Sequence, residues 1–92
     1  MEQTYFISVE ECCSHYNVEV EFIDSLEAHG LLEPVIKDDH RYLEQDHLQK
    51  LEKFINMHYE MDINLEGIEV IARLLERMEA MQQKMRRLGA PI

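Results

Sequence analysis

The feature that most restricts the fold is the stretch 5–32, YFISVEECCSHYNVEVEFIDSLEAHGLL. An apolar opening, Tyr5-Phe6-Ile7, leads into a short helical run. Ser8 is placed to cap that run, with Glu11 completing a capping box. The run ends at His15-Tyr16-Asn17, and a second run over residues 19–29 stops at Gly30, with Leu31 and Leu32 packing behind the stop. Two short helices about a tight turn, the second closed by glycine, form a helix-turn-helix pattern.

The charge of this unit is unusual for that shape. Residues 1–32 hold seven acids (Glu2, Glu10, Glu11, Glu19, Glu21, Asp24 and Glu27) and no lysine or arginine. The formal charge of the 92-residue chain is −10. That balance disfavours nucleic acid and anionic membranes and favours a basic partner surface. A chain of this size hides only ~60% of its unfolded surface, so its core is thin and a second subunit often completes it.

After Leu32 the chain reads Glu33-Pro34-Val35-Ile36-Lys37-Asp38-Asp39-His40-Arg41-Tyr42. Pro34 bars a helix there. Val35-Ile36, the turn Lys37-Asp38-Asp39 and the return through Arg41-Tyr42-Leu43 predict a two-stranded wing. Residues 44–59 read as a third helix, with Leu48, Leu51, Ile55 and His58/Tyr59 on one stripe that Phe54 widens. Asn64 is placed to cap a long helix over residues 65–88, closed by Gly89-Ala90-Pro91. Its first half has two apolar faces. Beyond Leu75 a single seam continues: Ile71, Leu74, Met78, Met81, Met85 and Leu88 recur at heptad a and d spacing. That seam fits either intrachain packing or a modest homodimer, methionine being a poor specifier of partners.

The chain is mainly α, and the order of these elements resembles a MerR-like winged helix-turn-helix head with a C-terminal coiled-coil helix. The division expected is a head over residues 1–62 and a dimerising helix over residues 63–92. The segments carrying the resemblance are Ile7-Ser8-Val9, residues 20–32, Arg41-Tyr42 and Ile63-Asn64-Leu65-Glu66-Gly67-Ile68. Within that superfamily the acidic chaperone-modulator CbpM family is similar, sharing the Gly-Leu-Leu-Glu-Pro junction at 30–34 and the Leu-Glu-Gly-Ile-Glu-Val run at 65–70. The resemblance implies a partner, the J-domain of a CbpA/DnaJ-type co-chaperone, whose stimulation of DnaK would be lowered. DNA-reading relatives carry an arginine and a tyrosine on the second helix for phosphate contacts. The matching places here hold Asp24 and Leu26.

The expected partner surface is therefore Glu21, Asp24 and Glu27, with Leu26 as either a core residue or an apolar anchor. Asp38 and Asp39 are turn formers or a secondary contact. Adjacent cysteines on a helix point ~100° apart, so Cys12 and Cys13 suit one buried and one half-exposed thiol rather than a metal site. His15, His29, His40, His47 and His58 follow no repeating interval, and no catalytic order or phosphate loop stands out. No enzyme activity, metal or cofactor is expected. The acidic opening MEQTYFISVEE lacks the positive charge of a signal peptide, and no apolar run approaches the ~20 residues that span a bilayer, so a cytoplasmic location without membrane contact is expected. Two other readings compete with the adaptor: a MerR-like DNA-binding transcriptional regulator and a purely structural dimerisation domain. The DNA reader has only Lys37, Arg41, Lys50 and Lys53 to offer.

Overall fold

The computed structural model describes residues 5–89. Strand β1 (Phe6–Ser8) runs directly into helix α1 (Val9–Tyr16), and helix α2 (Val20–Ala28) follows. Next come β2 (Val35–Lys37), β3 (His40–Glu44), a 3-10 turn (Gln45–His47) and α3 (Leu48–Ile55). A π-helical turn (Asn56–Glu60) then precedes the long helix α4 (Leu65–Arg87). The winged helix-turn-helix head and the long last helix are as the sequence predicts. The last-turn residues Ala90 and Pro91, expected to close α4, lie outside the described residues.

Local chemistry sets most boundaries. Ser8 Oγ accepts the Glu11 backbone N–H at 3.1 Å, so the predicted N-cap is present, while the Glu11 carboxylate accepts from the Ser8 hydroxyl at the same distance rather than from the Ser8 backbone N–H of a full capping box. Asn17 adopts φ 56° and ends α1 in the left-handed conformation. Gly30, at φ +73°, turns the chain out of α2, and the Leu31 N–H bonds the Leu26 carbonyl at 2.9 Å, a Schellman-type closure. Asn64 Oδ1 accepts the Gly67 N–H at 2.8 Å and starts α4.

The wing is a two-residue hairpin. Lys37 pairs with His40, and Asp38 and Asp39 between them both have positive φ, the geometry of a type I′ turn. The sheet has three strands in the order β1-β3-β2, all antiparallel. The additional strand is β1, in which Ile7 faces Leu43 and Phe6 faces Glu44. That pairing corrects the start of the third helix. Glu44 ends a strand, because it lies opposite Phe6 and the next N–H, that of Gln45, is held by the Tyr5 carbonyl at 2.9 Å, and α-helical geometry begins only at Leu48.

The core gathers Val9 and Cys12 from α1, Phe22, Ile23 and Leu26 from α2, Leu32, Leu43, Leu51, Phe54, and Ile68 from α4. The π turn swings His58 and Tyr59 onto α2, where their rings lie 5.0 and 5.2 Å from Phe22. Leu65 and Ala72 flank the core, but past Ala72 the helix leaves it, and every described residue from Arg73 onward is exposed. No helix among the described residues is long and apolar enough to cross a membrane.

Candidate protein-binding surface

Three elements meet on one acidic face. Residues 21, 24 and 27 lie outside the stripe of α2 that buries Phe22, Ile23 and Leu26, and all three carboxylates are exposed. The wing crosses the same face and delivers one cation. Arg41, on β3, places Nη1 2.7 Å from Asp24 Oδ1 and 2.8 Å from Glu27 Oε1. Hydrogen bonding to Asp24 above all, then to Glu27, raises the Arg41 pKa further, so its guanidinium is charged at any ordinary pH. Two of the three predicted carboxylates thus have an internal counter-ion from a segment 14 or more residues away. Glu21 has no such counter-ion among the described residues; its backbone carbonyl accepts the Ser25 hydroxyl at 2.9 Å.

Helix α1 extends the face. Burial first, then Glu10, Asp24 and Glu21, raise the pKa of the half-buried Cys13 thiol against the opposing pull of Arg41. Burial pushes Cys12 up to about 11. Both cysteines are therefore thiols rather than thiolates at neutral pH. One is buried and one half-buried, as the helical geometry predicts.

Leu26 does not belong to the surface. It is fully buried, because the i, i+3, i+4 rhythm of Phe22, Ile23 and Leu26 points it into the core and leaves Asp24 and Glu27 outward. The apolar-anchor reading is withdrawn. Asp38 and Asp39 are exposed at the hairpin tip, where their positive φ accounts for their identity as turn formers. Beside them, Lys37 Nζ stands 3.8 Å over the Phe6 ring, so both wing cations are engaged within the chain.

A second surface follows α4. Ile71 is half-buried, while Leu74, Met78, Met81, Met85 and Leu88 are between 43% and 76% exposed. Five large apolar side chains uncovered along one helix stripe are more than scattered surface residues need. Where α4 leaves the head, a groove of about 300 Å³ opens between Leu31 and Leu32, Phe54 of α3 and Leu75 of α4. Lys50 and Lys53 of α3 and Glu76 and Glu79 of α4 also line it.

The model of the MerR HTH family regulatory proteins matches residues 7–89, from β1 to the end of α4. The chain belongs to the MerR HTH family. No characterised protein and no solved structure matches it. This MerR-type chain has its second helix and wing disposed on one face, yet that face exposes carboxylates instead of cations. Sequence reasoning missed Arg41 as the counter-ion, and also the pairing of His29 with Glu69. Neither pair has a spacing that periodicity could reveal.

Proposed function

We propose that this MerR-type protein is a non-enzymatic regulatory binding module whose acidic α2 face captures a basic helix. Following the resemblance to the CbpM family, that helix belongs to the J-domain of a CbpA/DnaJ-type co-chaperone, and its capture lowers stimulation of DnaK in the cytoplasm. The observation that carries this reading is the exposed row Glu21, Asp24 and Glu27 on a helix-turn-helix unit whose two helices contain no lysine or arginine. A phosphate backbone would meet repulsion there, and a basic helix attraction. Asp38 and Asp39 lie at the wing tip, three and two residues before Arg41, as a secondary contact. The exposed α4 seam supports a homodimer built on Ile71, Leu74, Met78, Met81, Met85 and Leu88.

Exposed ion pairs contribute only ~0.2–1 kcal/mol each, so several carboxylates must act together. The test is titration of a purified J-domain against wild type and against the triple variant Glu21→Gln/Asp24→Asn/Glu27→Gln, at low and at physiological salt, with DnaK ATPase stimulation measured in parallel. Salt-sensitive binding that the variant loses, together with lowered stimulation, supports the reading. Equal affinities would place the interaction elsewhere.

Family membership favours a second reading, a DNA-binding transcriptional regulator, for which the wing pair Arg41-Tyr42 is in place. It requires Arg41 to leave Asp24 and Glu27 for phosphate. A shift of duplex DNA at micromolar protein or below, with a steep salt slope, would favour it.

A further inference from the structure

We infer that Arg41 is an internal competitor for the basic partner, seated on the same carboxylates and setting how many cations a partner must bring. This inference rests on the proposed capture of a basic helix by α2. Arg41 Nη1 reaches Asp24 Oδ1 at 2.7 Å and Glu27 Oε1 at 2.8 Å, so one guanidinium nitrogen serves both. The Arg41 side chain is 29% exposed, and those of Asp24 and Glu27 are 51% and 42% exposed. The carboxylates thus remain reachable from solvent although a cation already lies on them.

The placement of Arg41 is not incidental. It pairs with Ile36 across the hairpin, and the I′ turn of Asp38 and Asp39 fixes that register, so the wing holds the guanidinium over α2. The carboxylates bonded to it are Asp24 and Glu27 of α2, with Glu21 exposed one turn before Asp24 on the same helix. Counting Glu21, Asp24, Glu27 and Arg41, the face keeps a net charge of −2. A single incoming cation meets Asp24 and Glu27 already half neutralised and gains little. A helix with several closely spaced cations engages Glu21 as well and can take over both carboxylates from Arg41. Arg41 therefore biases the face toward densely basic helices and against lone surface lysines. The same contact holds the wing cation away from nucleic acid.

Arg41→Gln removes the competitor's charge and leaves a shorter, neutral polar side chain. Its affinity for two probes, a purified J-domain and a hexalysine peptide, is compared with that of wild type by titration calorimetry at low and at physiological salt. The expected result is a gain of roughly threefold to tenfold at low salt, the factor that one or two exposed ion pairs supply, with a steeper loss on adding salt. Arg41→Lys, which keeps the charge but loses the planar fork, should fall between the two and decides the matter if the glutamine variant does not fold. A merely structural ion pair would lower the melting temperature and leave both affinities unchanged or weaker, and that result overturns the inference. Failure of the J-domain to bind any of the proteins, alongside tighter hexalysine binding by the variant, removes the partner reading and keeps the competitor. Absence of hexalysine binding by every protein removes the competitor.

Discussion

His29 at the end of α2 and Glu69 in α4 are joined side chain to side chain, with Nδ1 3.2 Å from Oε2. The other Glu69 oxygen accepts from Arg73 Nη2 at 2.6 Å. The pair ties the helix-turn-helix unit to the long helix at the level where α4 is still packed on the core, next to Ile68. Both side chains are about one quarter exposed, so water weakens the pair without abolishing it. Glu69→Gln should cost about 0.5–1 kcal/mol in urea unfolding and leave the slope of the transition unchanged.

Leu26 has its test in stability rather than binding. Because it is fully buried, Leu26→Ala should lower unfolding free energy by about 2–5 kcal/mol through the cavity it leaves. J-domain affinity of the fraction that remains folded should match wild type. A selective loss of affinity at unchanged stability would return Leu26 to the surface.

The α4 seam makes the opposite prediction. Met78 and Met81 are 55% and 63% exposed and lie beyond the core, so lysines there cost the head nothing. Sedimentation equilibrium should show Met78→Lys/Met81→Lys as a monomer with an intact far-UV spectrum and melting transition. Wild type should show a concentration-dependent dimer. An identical mass for the two proteins would mean that the seam does not join subunits.

The buried thiol makes stability depend on alkaline pH. Burial raises the Cys12 pKa from 9.0 to about 11, so the folded chain holds this proton more tightly than the unfolded one. The stability this contributes is complete below pH 9 and is lost as pH rises toward about 11. Cys12→Ala should flatten that decline in urea midpoints measured across the window, at the cost of lower stability at neutral pH. Native protein at neutral pH should also react slowly with a thiol reagent, and unfolded protein promptly at both cysteines.

Sequence alone determined the features that act within a few residues. Ser8 with Glu11, the stop at Gly30, the paired aspartates of the wing turn and the Asn64 cap each follow from a side chain or a φ preference meeting its own neighbouring backbone. The a/d seam was legible for the same reason, since its register lies within one helix. Tertiary structure decided what depends on distant segments. The third strand exists because Phe6 and Ile7 find Glu44 and Leu43, and that pairing moved the start of α3 from residue 44 to Leu48. Leu26 shares the helical rhythm of Phe22 and Ile23, and the elements that close over α2 make that stripe the core. The acidic face changed most: Arg41 lies 17 residues from Asp24 and 14 from Glu27, and only the folded hairpin brings its charge to both. Local hydrogen bonds and helical periods recur at fixed intervals along a chain, whereas a cation arriving from another strand leaves no interval to read.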